Sequence, residues 1–151
     1  MNNRFERSNP LDLPNDKLYS FITRLYNQAI ALYRYCPDLW IEAVSFHAID
    51  HWEEAERLLQ QGLKVMASSV FFTMACCDFY ETHGHVNEAN ALYESFIQSN
   101  DNPVGWIQYM YFTRRVKGVE EARAVFHRAS LSVLSPSLFI AAGIHSFIHS
   151  L

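Results

Sequence analysis

The chain is 151 residues long, half of them hydrophobic types and 19% charged, a balance that can bury a core within one domain and excludes a disordered polymer. Twelve Lys and Arg stand against sixteen Asp and Glu, a net charge of −4. That charge gives no overall pull toward a phosphate backbone and argues against nucleic acid as the primary ligand.

In chain order, Met1–Arg7 lacks the apolar centre of a signal peptide, and no later run approaches the ~20 apolar residues of a membrane helix. The expectation is a soluble intracellular protein with no membrane role. From Ile22 onward, apolar or small residues fall at i, i+3, i+4, i+7 and i+8 (Ile22, Leu25, Tyr26, Ala29, Ile30), the stripe of an amphipathic helix. Trp40 then opens a different segment, Trp-Ile-Glu-Ala-Val-Ser-Phe, and Trp106 opens Trp-Ile-Gln-Tyr-Met-Tyr-Phe 66 residues later, twice 33. Steps of 33 from Trp40 land on Thr73, Trp106 and Phe139; these four segments are A helices.

The first stripe recurs three times between them, beginning at Ala55, Ala89 and Ala122. Its bulky i+4 member moves from Tyr26 to Leu59, Tyr93 and Phe126, spacings of 33, 34 and 33. These are B helices. Asn102-Pro103 and Ser135-Pro136 each place a capping oxygen before a proline at the first helical position, and Pro37 has the same register before Trp40. Gly84 and Gly118 fall between an A and a B helix, where a left-handed residue reverses the chain. In the pair that begins at Pro37 that duty falls to Asp50 or His51.

A two-helix unit of about 33 residues cannot bury its apolar faces alone, so the units must stack. The predicted fold is all-α, an α-solenoid of antiparallel helix pairs in a single domain. It comprises a B helix at 16–34, repeats at 37–67, 69–99 and 103–133, and an A helix at 136–151 with no partner after it. Trp40, Trp106, Tyr26 and Tyr93 are expected in the core. Ala29, Gly62 and Ala129 are small enough for close helix approach, whereas Phe96 at the matching place predicts wider spacing or a different packing partner.

An aromatic-x-x-Tyr-x-x-Phe A helix followed by Ala-Arg-x-x-Phe-x-x-Ala resembles the HAT repeat, a half-a-TPR unit of RNA-processing scaffolds. The stretch from Trp106 to Arg115, with Gly118, Arg123 and Phe126 after it, is similar to the suppressor-of-forked family, the HAT-repeat subunit of cleavage stimulation factor. Glu6-Arg7-Ser8-Asn9-Pro10-Leu11 looks like the end of an earlier, incomplete A helix over 1–7, and Cys36-Pro37-Asp38-Leu39-Trp40 looks like the next repeat's start. The resemblance implies a nuclear scaffold of messenger-RNA 3′-end processing that dimerises through HAT repeats and recruits other cleavage and polyadenylation subunits. It departs from the family at Thr73 and Ser130, usually aromatic and basic, and in lacking a proline-rich tail. The chain therefore reads as part of a longer array.

No catalytic, metal or cofactor site is expected. Cys36, Cys76 and Cys77 form no disulfide framework. His47 with His51, His83 with His85, and His145 with His149 lack the spacing of a recognised metal site. Glu53-Glu54 and Glu120-Glu121 sit in first helical turns, where negative charge complements the helix dipole. Two surfaces are candidates for partners. Arg114, Arg115, Lys117, Arg123 and Arg128 gather five of the twelve basic residues around one A-to-B turn, an ordinary solvated turn or a patch for an acidic partner, with RNA contact at most indirect or weak. Phe139, Ile140, Ile144, Phe147 and Ile148 leave the last helix apolar on more than one face, a candidate self-association surface. The competing assignments are a HAT scaffold of the spliceosome or of ribosomal RNA processing, and a TPR-like adaptor gripping a short peptide.

Overall fold

A computed structural model describes residues 17–132. Every regular element in that span is an α-helix, and the fold is the helical-repeat, α-solenoid class that the 33-residue spacing predicts. The chain divides into two compact units, one ending at Ser68 and the other beginning at Ser69.

The first unit holds α1 (Lys17–Leu32), α2 (Pro37–His47) and α3 (Trp52–Val65). Pro37 occupies the first turn of α2, where its missing N–H leaves no bond unmade. The reversal into α3 uses no left-handed residue. Instead the Ala48 and His51 N–H groups donate to the carbonyls of Val44 and His47, at 2.9 and 2.8 Å. Glu53 and Glu54 then fill the first turn of α3. Trp40, Ala43 and Val44 of α2 and Ala55, Leu58 and Leu59 of α3 are buried together as the core of this pair. The Trp40 indole N–H donates to the Arg34 carbonyl at 2.8 Å, so a buried polar group is satisfied by the preceding turn. Of α1, only Ile30 is fully buried. Its Tyr19 and Tyr26 rings pack on Phe46 of α2 at 5.5 and 5.6 Å between centroids.

The second unit holds α4 (Val70–Thr82), α5 (Val86–Ser99), α6 (Pro103–Val116) and α7 (Val119–Leu131). Here α4 pairs with α5 and α6 with α7, while α6 also touches α5 and α4. Asn102 Oδ1 accepts the Val104 N–H at 2.9 Å, and Ser69 Oγ accepts that of Phe72 at 3.2 Å, so both A helices begin on a side-chain cap. Gly84 and Gly118 adopt φ of +79° and +109°, the left-handed region expected of them. Phe72, Cys77, Tyr80, Tyr93, Met110 and Phe112 form the core, with Tyr93 stacked on Tyr109 at 5.3 Å.

Phe96 has the different packing partner that its size demands. A Cβ built on Gly105 would stand 2.8 Å from the ring's Cδ1 and closer still to Cε1. The absent side chain of α6 is thus the space into which α5 inserts a phenyl ring. The small-residue rule survives, with the small residue moved to the opposite helix.

Candidate partner surface

The five predicted cations lie on α6, α7 and the turn between them, and the contacts recorded for four of them are inside the second unit. Arg115 donates to both oxygens of Glu81 on α4, at 2.8 and 2.7 Å. Arg128 donates to both oxygens of Glu94 on α5, at 2.8 Å each. Arg123 pairs with Glu120 on its own helix at 2.6 Å, and Lys117 Nζ donates to Asn90 Oδ1 at 2.7 Å. Arg114 lies half-buried in the last turn of α6.

Both two-pronged pairs join residues 34 apart, one repeat and one residue more. Stacked units bring near-equivalent positions of successive repeats side by side, so a Glu in one repeat meets an Arg displaced by a single residue in the next. Around the second pair a network forms. The Tyr109 hydroxyl, on a buried ring, donates to Glu94 Oε1 at 2.5 Å and approaches Asn90 Oδ1 at 3.2 Å. The Arg128 guanidinium also lies 5.7 Å from the centre of the Trp106 ring, within cation–π range. Hydrogen bonding from Arg128 holds the Glu94 carboxyl below its ordinary pKa, and desolvation pushes the Tyr109 phenol up. Sequence reading identified the cations and missed Glu81, Asn90, Glu94 and Tyr109. The signal for two of them was present as Glu–Arg pairs at a 34-residue spacing.

The sequence also underrated His47. It is buried in α2, a 2.8 Å hydrogen bond joins its Nδ1 to Tyr19 Oη of α1, and burial lowers its pKa. Cys76 and Cys77 are buried and Cys36 is exposed. Desolvation pushes the Cys76 thiol up to about 12 and raises that of Cys77 as well. Among the described residues, no three His, Cys, Asp or Glu side chains gather as a metal site. Phe139, Ile140, Ile144, Phe147 and Ile148 lie outside the described residues.

The A/B helix order recurs in each unit, and the family profile described as "Suppressor of forked protein (Suf)" matches residues 3–149. The chain belongs to the suppressor-of-forked family. Within that family it is 29% identical over 123 residues to cleavage stimulation factor subunit 77 of Arabidopsis thaliana, covering 81% of this chain and 17% of the relative. It is 26% identical over 144 residues to the mRNA 3′-end-processing protein RNA14 of Candida glabrata, covering 81% of this chain and 22% of that protein. With the protein suppressor of forked of Drosophila melanogaster it shares 26% identity over 99 residues, 63% of this chain and 13% of the fly protein. The chain thus spans less than a quarter of the length of these family relatives.

Proposed function

We propose that the chain is a segment of a non-catalytic scaffold for the cleavage and polyadenylation of messenger-RNA 3′ ends. The observation that carries this reading is the suppressor-of-forked match across residues 3–149, together with relatives named for mRNA 3′-end processing and cleavage stimulation. The polar chemistry of the second unit supports it, because its two-pronged charge pairs join helices of successive repeats. Stacked repeats present extended surfaces for protein partners. On this reading the partners are other subunits of the nuclear 3′-end machinery and a second copy of the full-length protein.

The basic cluster belongs in this scheme as a surface for an acidic protein segment. Arg115 and Arg128 are each paired with one carboxylate, Glu81 and Glu94, which weakens any pull on RNA, while both side chains remain about half exposed at 52% and 46%. The test is affinity purification of the tagged protein from nuclear extract, alone and with Arg114→Glu and Arg115→Glu. Cleavage and polyadenylation subunits should co-purify, and the charge reversals should reduce them. Recovery of spliceosomal or ribosomal-RNA-processing proteins in their place would move the scaffold to another assembly.

A further inference from the structure

Lys117 stands apart from other cations of the second unit. Arg115, Arg123 and Arg128 each face a carboxylate, at 2.7, 2.6 and 2.8 Å. The bond recorded for Lys117 is to a neutral group, Asn90 Oδ1 at 2.7 Å, and the residue is exposed.

Comparison of the repeats shows what is missing. Counted back from Leu59, Tyr93 and Phe126, Asn90 occupies the place of Glu56 in α3 and of Arg123 in α7. A carboxylate at residue 90 would close the pair, as Glu81 and Glu94 close theirs. The amide leaves the ammonium uncompensated. Glu94 does not make up the difference, because both its oxygens are taken by Arg128. Two cations against one carboxylate leave one positive charge in excess between α5 and the α6–α7 turn.

Asn90 adds donors beside that charge. Lysine can only donate, and the Tyr109 hydroxyl also meets Asn90 Oδ1, at 3.2 Å. The amide is therefore held with its oxygen toward both groups and its nitrogen turned from them. Among the described residues, the hydrogen bonds of Asn90 all run to Oδ1, and Nδ2 is not a buried orphan, so its two N–H groups face water. Nδ2 and Lys117 Nζ are both neighbours of the same oxygen and lie within the span of a single oxyanion. Both repeats that supply these groups are described whole, so the walls of the site are complete.

The charge balance selects the anion. One excess positive charge suits a monoanion, and the ionised Glu94 alongside opposes a doubly charged phosphate monoester. A run of phosphodiesters meets a chain of net charge −4, which opposes it.

We propose that Lys117 and Asn90 form a carboxylate site between α5 and the α6–α7 turn, which takes one Asp or Glu side chain of a protein partner. Nζ supplies the charge, and Nδ2 supplies the second donor that orients the planar carboxylate. The assignment rests on the reading of the basic cluster as a protein surface and names the atoms that do the recognising.

The test follows the Asn90 side-chain amide by proton–nitrogen NMR in the full 151-residue chain. Acetyl-Ala-Glu-Ala-amide is added at about pH 7, where its carboxyl is ionised, and its Gln analogue, inorganic phosphate and oligouridine serve as comparison probes. The Glu peptide should shift the Asn90 amide saturably, with a dissociation constant on the order of 1 mM. The Gln peptide should bind at least about tenfold more weakly, and Lys117→Met should weaken the Glu peptide by a similar factor. Lys117→Met should move the thermal melt by less than about 2 °C. Asn90→Asp closes the pair inside the chain and should abolish binding, read at the backbone amides of Lys117 and Gly118, with the urea midpoint unchanged or raised. A Glu peptide that shifts nothing, or a Gln peptide that binds equally, overturns the proposal. So does tighter binding of phosphate or oligouridine, which assigns the site to phosphoryl groups. A Lys117→Met chain that melts far lower makes the lysine a structural tie and overturns it as well. The titration contains no partner protein, so its failure is distinct from a failure to recover cleavage and polyadenylation subunits from nuclear extract.

Discussion

Arg128 on α7 grips Glu94 on α5 with two nitrogens, each 2.8 Å from a different carboxylate oxygen, and the same Glu94 accepts the Tyr109 hydroxyl of α6. One carboxylate therefore ties three helices. Its two partners differ in burial, and burial decides which bond matters. Arg128 and Glu94 keep 46% and 28% of their side-chain surface in water, so the ion pair alone is screened and its loss in Arg128→Ala should cost below about 1 kcal/mol. Glu94→Ala also removes the nearer acceptor of a buried tyrosine and leaves its hydroxyl only Asn90 Oδ1 at 3.2 Å, which should raise the cost to about 1–2 kcal/mol. Glu94→Gln keeps an acceptor for Tyr109 and should fall between them. Urea denaturation of the three variants checks the order, and equal losses in all three would contradict it.

The contact between Phe96 and Gly105 yields a sharper test because it is steric. Gly105→Ala places a methyl where the Phe96 ring stands, and both residues are buried, so the ring has little room to retreat. Overpacking of this kind costs about 1–3 kcal/mol. Phe96→Leu in the same chain should recover part of that loss, although Phe96→Leu alone is itself destabilising. A double-mutant cycle measured by chemical denaturation should show this favourable coupling; additive losses would place the strain elsewhere.

Periodicity alone located most of the helices, because amphipathic stripes and proline or glycine boundaries are local signals. Tyr26, Leu59, Tyr93 and Phe126 marked the four B helices, and Gly84 and Gly118 marked two reversals. Contacts between repeats were less legible. Phe96 announced a conflict without revealing Gly105 as its resolution, since the partner lies on the next helix. The cluster around Arg115 and Arg128 read as an ordinary solvated turn or a basic patch, without its partners, because its carboxylates are 34 residues away, beyond any window in which charges are compared along one helix. At α1 the stripe of Ile22, Leu25, Tyr26, Ala29 and Ile30 read as one inward face, yet of these only Ile30 is fully buried and Leu25 is exposed. Only burial separated Tyr19, Tyr26 and Ile30 from the outer row of Phe21, Leu25 and Leu32.

Thiol chemistry follows from burial in the same way. Cys36 is exposed whereas Cys76 and Cys77 are enclosed in α4, with the Cys76 thiol at about 12, far from the thiolate form at neutral pH. Ellman's reagent at about pH 8 should modify Cys36 quickly in the native chain and reach the other two only as the protein opens. Immediate reaction of all three would mean that α4 is not packed as described.

Acid should loosen the first unit before the second. Burial holds His47 below its ordinary pKa, with Arg57 and His51 acting in the same direction and Glu54 opposing them, so the folded state keeps a neutral imidazole against the Tyr19 hydroxyl. A histidine depressed in this way contributes stability that is complete above its unfolded value, about 6.5, and is lost as pH falls toward the folded value. Glu94 has the same sign at lower pH. Its carboxyl is held down chiefly by Arg128, so that contribution is complete above the ordinary carboxylate range near about 4.3 and disappears only below it. Urea midpoints should therefore fall between about pH 7.5 and 5.5, and His47→Asn, less stable at the start, should show a flatter slope over that interval. Glu94→Gln should leave this slope unchanged and flatten the one below about pH 4.5. Imidazole proton shifts provide the direct check. A His47 ring that titrates at or above the ordinary histidine value would remove the basis for the order.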